Sequence, residues 1–347
     1  MKPIFDKFKN LSIAVLGDYC LDEYLWIDAA LNEPSLETGL IAYQCLKRET
    51  SPGAAGTIAK NLANLGIGNI YAIGYIGNDG RGYELCQGLD ALGINRDFLV
   101  SAKERATFTH TKPWIIEDGK TRELNRIDIK NQHPTPPELE DAVLANLKKI
   151  VNQVDALVIL DHVAEPNFGI ITDRVRKALP QIAAANPKCI VYADSRCRIG
   201  LFEGMMLKGN QFELCHAVYG QGISGVADAY VQLAADPSVE RTPEEIAQAC
   251  ETLYKKTGQP VICTLGDQGV HIYHDGPRLT IPATPVSGQT DVCGAGDMFT
   301  AAFISTLAAG ASMGEAGKIG NMAASICVTQ LGTSGHVNIK DLEAMLE

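Results

Sequence analysis

The 347-residue chain holds ten cysteines but no Cys-x-x-Cys pair. Thiols scattered in this way give no disulfide framework or zinc ribbon, and they read as free cysteines in a reducing, cytoplasmic setting. Positive charge is not in excess: 30 Lys and Arg stand against 41 Asp and Glu, a formal net charge of −11. This balance excludes broad binding to nucleic acid or an anionic membrane, which needs a basic field. A small anion held by a few local cations and main-chain N–H groups remains compatible. Long hydrophobic runs are missing too. The N-terminal apolar stretch Leu11–Leu16 is interrupted by Ser12 and is too short for a signal-peptide core or a membrane span. No G-x-x-x-x-G-K-[ST] motif occurs, and DYCLDEY follows the first strand candidate where a dinucleotide fold would carry G-x-G-x-x-G. No Ser/Gly linker, low-complexity tract or internal repeat divides the chain, so residues 1–347 read as one domain.

What is present is an alternation of short apolar runs with longer helical patterns. SIAVLGD (12–18), IYAIGYIG (70–77), DALVILD (155–161), CIVYAD (189–194) and PVICTLG (260–266) read as buried strands of a mostly parallel sheet covered on both faces. Between them, helices are predicted over TIAKNLANLG, RGYELCQGLDALG, NFGIITDRVRKALPQIAAA and TPEEIAQACETLYKKTG. The last opens on Thr242, Pro243 and two Glu and closes on Lys255, Lys256 and Gly258. The class is therefore a doubly wound α/β fold, with ligands expected at the carboxyl ends of the strands. Residues 19–50 and 105–130 are too long for βα loops and alternate like strands, the second with a turn near Asp118-Gly119. Together they predict a small β-sheet lid over the site.

The chemistry concentrates in DVCGAGD (291–297), ahead of an apolar helix. Gly294 and Gly296 let backbone approach a ligand, and the helix start offers N–H groups to a phosphate oxygen. Asp297 stands where it can take the proton of a hydroxyl placed against that phosphate, or, alternatively, cap the helix. In KGNQFE (208–213), Asn210 and Glu213 have a spacing that can face a hydrated Mg²⁺ or simply start a solvated helix. TLGDQG (264–269) is a strand end and Gly turn able to cradle a nucleotide or make a hairpin. In GDYCLD (17–22), Asp18 and Asp22 follow the first strand, where carboxylates can grip sugar hydroxyls or stay solvated in a loop. His271 and His274 of HIYH point to opposite faces of a strand and make no metal pair. Arg105, Lys112, Arg122, Arg126, Arg196 and Arg198 are read as solvated loop or lid cations, one or two of which are placed to hold a sugar phosphate.

DVCGAGD resembles the D-x-x-G-A-G-D signature of the ribokinase-like (PfkB) carbohydrate kinases. SPGAAGTIAKNLANLG (51–66), GNQFE, TLGDQG and GNMAASICVTQLGTSG (320–335) are similar to that family's other elements, in its order, so the resemblance spans the whole chain. It implies a ribokinase-like domain with a small β lid, and a homodimer formed through that lid. It further implies ATP as phosphoryl donor with Mg²⁺, Asp297 as base, and the Gly294–Ala295–Gly296 amides as anion hole. Asn210 and Glu213 would position Mg²⁺ and its waters. Thr264, Gly266, Gly269 and Asn321 would line the nucleotide site, and Asp18, Asp22, Gly53, Ala54 and Thr57 the sugar side. Asp291, with the loop near Gly332, would hold a monovalent cation, K⁺, as in some members. Within the family, GDYCLDEYLW, DALVILDHV, YADSR and VTQLGTSG resemble kinases of D-glycero-manno-heptose 7-phosphate. Their bifunctional relatives carry a nucleotidyltransferase half that is not expected in these 347 residues. Where the family reads Gly-Gly and then Asn, this chain has Gly53, Ala54 and Thr57: a methyl replaces a hydrogen, and a hydroxyl replaces a two-donor amide. The alternatives left open are a kinase of another sugar, ketose or nucleoside, and a non-catalytic sugar- or nucleotide-binding regulator.

Overall fold

A computed structural model describes residues 1–220, 241–330 and 335–346. The five apolar runs become the strands Ser12–Gly17, Asn69–Gly77, Ala156–Asp161, Ile190–Ser195 and Val261–Thr264. Asn95–Ala102, Met206–Asn210, Val270–Tyr273 and Leu279–Ile281 complete a nine-stranded sheet. Ser12–Gly17 lies between Ala156–Asp161 and Asn69–Gly77, and every pairing is parallel except the two made by Val270–Tyr273. Alternation along the first strand sends Ile13 and Val15 into one core and Ala14 and Leu16 into the other. Helices Ala55–Asn64, Ala295–Ala308 and Met313–Val328 cover the first face; Pro137–Ile150, Asp173–Ala185 and Pro243–Thr257 cover the second. The fold is thus α/β, doubly wound, with the carboxyl ends of the parallel strands gathered along one edge.

Helix punctuation follows the sequence closely at 242–258. Thr242 and Glu245 cap each other's main-chain N–H groups, and Gly258 closes the helix at φ 65°. Two boundaries differ from expectation. The helix predicted from residue 167 starts at Asp173, because Asn167 adopts φ 67° and the Ile170 N–H is drawn to Asp18. The strand predicted over 260–266 stops at Thr264, because Gly266 turns the chain into a hairpin with Val270–Tyr273.

The two long excursions form a separate sheet. Tyr19–Asp28 pairs antiparallel with Cys45–Ala54 and parallel with Phe108–Glu117, which also pairs with Lys120–Glu123 and Ile127–Ile129. Asp118 and Gly119, at φ 49° and 71°, make the tight turn expected between two of these strands. The alternation read within 19–50 is interrupted: Ile41–Ala42 pairs with Glu33–Pro34 in a ribbon of its own, and the next strand begins at Cys45.

Ala54 joins Cys45–Ala54 to the next helix at φ 50° and ψ −117°, a region that suits glycine and crowds a Cβ. Such strain costs on the order of 1–3 kcal/mol. Ala54→Gly is therefore expected to raise the unfolding free energy by about 1 kcal/mol, net of the extra entropy of glycine in the unfolded chain. A denaturant midpoint that stays put or falls would show that the turn carries no such strain.

Candidate active site

The helix Ala295–Ala308 begins at Gly294, which takes φ 78° to turn the chain into it. The Ala295 N–H turns back to the Val292 carbonyl at 3.3 Å. Those of Gly296 and Asp297 enter the first turn without an acceptor inside the helix. Asp297 lies in that turn and is not the cap, so the capping alternative fails: the cap is Gly294, and no side-chain hydrogen bond caps this helix. Burial pushes the Asp297 carboxyl up to about 6, with Asp194 and Asp22 adding to the rise while Arg196 and Lys208 oppose it.

Beneath this turn lies an ion pair. Parallel registry sets Asp194 directly beside Lys208, and Lys208 Nζ donates to Asp194 Oδ2 at 2.7 Å with both side chains buried. A Cβ built on Gly296 would lie 3.1 Å from the same Nζ, so the ammonium sits under the GAG turn. Asn210 and Glu213 cap each other: Asn210 Oδ1 accepts from the Glu213 N–H at 2.9 Å, and Glu213 Oε2 from the Asn210 N–H at 2.8 Å. This corrects one reading: the helix start is not solvated, because Glu213 is buried and the Asn210 oxygen holds the cap. Burial raises the Glu213 carboxyl and the Asp194 charge raises it further, against Lys208 and Arg196.

Across the turn stands the small sheet. On Tyr19–Asp28, Cys20, Asp22 and Tyr24 share one face, and His110 and Lys112 flank them on the paired strand. Asp22 Oδ1 contacts His110 Nδ1 at 3.2 Å, and Lys112 Nζ donates to Asp22 Oδ2 at 3.4 Å. Lys60 is close enough to feel the charges of both Asp22 and Asp297, and its burial depresses its pKa. The site is therefore a polar cleft with Asp297, Lys208, Asp194 and Glu213 on the large sheet's side and Asp22 and Lys112 on the small one.

Several residues singled out from sequence do something else. Asp18 is buried and accepts the main-chain N–H groups of Ile170 at 2.7 Å, His162 at 2.9 Å and Val163 at 3.0 Å. It anchors the 162–170 loop and does not offer a free carboxylate to a sugar, nor is it solvated. Thr57 turns its hydroxyl toward the Pro52 carbonyl at 3.5 Å, in the strand that precedes its helix. Gly53 makes room for protein: a Cβ there would come within 2.5 Å of Cys20 Sγ and 2.8 Å of Asp22. Asn321 Nδ2 donates to the Ile281 and Pro282 carbonyls at 3.2 and 3.0 Å and so ties the edge strand down. Gly269 is likewise a packing position, since a Cβ would meet the Ile281 carbonyl oxygen at 2.2 Å. Gly266, with nothing within 4 Å of such a Cβ, and half-buried Thr264 stay open beside the cleft. Asp291 accepts the Cys293 N–H at 2.9 Å; the loop near Gly332 lies outside the described residues.

The cations also divide differently. Arg105 is buried and donates to the His133, Pro134 and Phe168 carbonyls and to Tyr75, and Arg198 grips Asp161 at 2.5 Å. Both fasten loops, whereas Arg122 and Arg126 pair with Glu117 and Asp128 at the surface. Asp194, Lys208, Lys60 and His110 were not anticipated. The available signal was a charged residue at the carboxyl end of a buried strand, as in YAD and LKGN, where an open α/β sheet puts its ligands.

The pfkB family carbohydrate kinase model matches residues 19–340. Curated relatives include the bifunctional protein HldE of Bradyrhizobium diazoefficiens, 27% identical over 93% of this chain and 60% of that protein. HldE of Desulfatibacillum aliphaticivorans is 26% identical over 98% of this chain and 64% of that protein. The chain thus spans between 60% and 64% of the length of these two relatives. Among solved structures, Arabidopsis thaliana ribokinase complexed with ribose and ATP superposes with a TM-score of 0.67 at 20% identity, covering 97% of this chain and 99% of that one. Escherichia coli phosphofructokinase-2 in complex with potassium gives 0.68 at 18% identity, over 96% and 97%.

Proposed function

Because this chain belongs to the pfkB family of carbohydrate kinases, we propose that it transfers the γ-phosphoryl group of ATP to a hydroxyl of a sugar phosphate resembling heptose 7-phosphate. The observation that carries this reading is Asp297: a proton acceptor raised to about 6, in the first turn of a helix whose adjoining amides have no internal acceptor. A carboxylate tuned toward neutrality both holds the deprotonated form at physiological pH and takes a hydroxyl proton well. The hydroxyl oxygen then attacks the γ-phosphorus in line, the bond to the leaving ADP oxygen breaks, and the proton passes to Asp297. The Gly296 and Asp297 amides, with Lys208 beneath them, stabilise the charge that gathers on the transferring group.

Buried carboxylates at Glu213 and Asp194, each with one oxygen already bonded, suit a hydrated Mg²⁺ held through water better than direct ligation. Mg²⁺ bound with the nucleotide supplies charge neutralisation on its phosphates. Nucleotide recognition is assigned to the edge near Thr264 and Gly266, and the sugar to the cleft beneath the small sheet, which then acts as the lid. Lys112 and Lys60, both facing this cleft, supply positive charge on the sugar side. Exposed Leu40, Ile41, Leu46 and Ile127 on and beside the small sheet support a homodimer through that layer. Among the described residues no helix is long and apolar enough to cross a membrane.

A second acceptor class is favoured by one observation: Thr57, in the place of the family's sugar-contacting Asn, turns its hydroxyl back to the Pro52 carbonyl of the preceding strand. The test is ATP turnover across a panel of sugar phosphates, free sugars, ketoses and nucleosides. Highest kcat/KM on a heptose or other sugar phosphate is expected. A clear preference for an unphosphorylated sugar or nucleoside transfers the reading to that class, and no turnover on any acceptor rejects catalysis.

A further inference from the structure

Helix Ala55–Asn64 directly follows the strand Cys45–Ala54, and its first turn offers the cleft no side-chain donor. Residues 55 and 56 are Ala and Gly, and the Thr57 hydroxyl is turned to the Pro52 carbonyl. One turn on, at the i+3 position of the same helix face, stands Lys60. Its Nζ donates to Ser51 Oγ at 3.3 Å. Ser51 is the residue that faces Asp22 across the antiparallel pairing of Cys45–Ala54 with Tyr19–Asp28. The half-buried Lys60 ammonium therefore reaches the cleft face of the small sheet beside Asp22.

Lys112 approaches Asp22 from the opposite side, from the paired strand Phe108–Glu117, with Nζ 3.4 Å from Oδ2. One carboxylate thus stands between two ammonium groups, and this wall of the cleft keeps a positive charge in surplus. Burial lowers the Lys60 pKa, while the charges of Asp22 and Asp297 favour the ammonium and that of Lys112 opposes it. The remaining cations are occupied otherwise. Arg105 and Arg198 fasten loops, Arg122 and Arg126 pair at the surface, and Arg196 acts on Asp297 and Glu213 at the other wall.

We propose that Lys60 is the residue that selects the acceptor: with Lys112 it holds an anionic substituent of the sugar, a phosphate or a carboxylate, while the accepting hydroxyl lies at Asp297. A neutral sugar in the same place leaves the surplus charge of this wall uncompensated, and that difference is the source of selectivity. The proposal rests on the kinase reading of this cleft and adds to it a charge requirement set by one side chain.

The test uses matched acceptors: heptose 7-phosphate with heptose, fructose 6-phosphate with fructose, and gluconate with glucose. Each is assayed with the wild type, Lys60→Gln and Lys60→Arg. Lys60→Gln keeps a hydrogen-bonding side chain beside Ser51 and removes the charge. It is expected to raise the KM of the preferred anionic acceptor by about 10–100-fold, the effect of losing a charge-assisted hydrogen bond. The KM of the neutral sugar, the KM of ATP and kcat should change by less than about three-fold. Lys60→Arg restores the charge and should bring the anionic KM back to within about five-fold of wild type. The anionic acceptor with the lowest wild-type KM decides between phosphate and carboxylate. Equal rises for anionic and neutral acceptors would confine Lys60 to holding Asp22 in place, and that result, an unchanged KM, or a wild type that prefers the neutral member of every pair overturns the proposal. Calorimetry of the anionic sugars without ATP keeps the two readings apart. Binding about ten-fold weaker in Lys60→Gln, with no wild-type turnover on any acceptor, rejects catalysis and retains the anion site. Wild-type turnover with binding indifferent to residue 60 does the reverse. Unaltered melting temperatures establish that both variants are folded.

Discussion

Replacing Asp297 by Asn is expected to lower phosphoryl transfer by about 10²–10⁴-fold while ATP and ADP bind within a few-fold of wild type. General-base contributions have that size, and the amide keeps the shape of the first helical turn, whose cap is Gly294. The pH dependence sharpens the test. With the carboxyl at about 6, wild-type kcat should fall about ten-fold per unit as the pH drops below that value, and level off above it. The Asn variant should lack this limb. Stability should change in the opposite direction to activity. A carboxyl raised from 3.8 to about 6 binds a proton in the folded state that the unfolded chain has released. Its stabilising contribution is complete below about pH 4 and is lost as the pH climbs through 6. At pH 7.5 the folded chain bears the cost of a desolvated charge, on the order of 1–3 kcal/mol. Asp297→Asn should therefore be the more stable protein at pH 7.5 and lose that advantage in acid. Turnover within ten-fold of wild type, with the acid limb intact, would remove Asp297 as the base.

Lys208→Met should have the largest effect on stability. The ammonium is buried and joined to Asp194 at 2.7 Å, and its removal leaves a buried carboxylate close to those of Glu213 and Asp297. Breaking one side of such a pair costs about 3–5 kcal/mol, most of it the uncompensated charge. Adding Asp194→Asn to the variant should then recover much of the loss, because it removes the charge left behind. A denaturant series on the wild type, both single variants and the double variant measures this coupling directly. A loss below about 1 kcal/mol in Lys208→Met would place the pair in the class of solvated surface bridges. Weaker phosphoryl transfer in Lys208→Met, beyond what unfolding explains, is expected from the position of Nζ under Gly296.

Local chemistry made much of this legible. The five apolar runs became strands because a strand buried on both faces has few polar positions to spare. Thr242 and Gly258 closed their helix as their types require, and Gly294 supplied the positive φ that starts the helix of DVCGAGD. What the residues around these signals do was less legible. Asp18 and Asn321 had been placed at a ligand, and both instead pair with main-chain groups far away in sequence. A carboxylate or amide takes whichever donors or acceptors the fold brings to it, and residue spacing holds no information about those partners.

The sequence by itself determined the α/β class, the strand and helix rhythm, the family, and the helix start at Gly294 just ahead of Asp297, since each depends on periodicity or on a residue type within one short segment. Only the tertiary structure decided that Lys208 lies under the GAG turn. Only it brought Cys20, in a chain without any paired-cysteine motif, to Asp22 and His110. Those arrangements come from strand registry: parallel pairing sets Asp194 beside Lys208 and Asp22 beside His110. Registry is fixed by burying two whole sheet faces at once, a condition that no single stretch of sequence expresses.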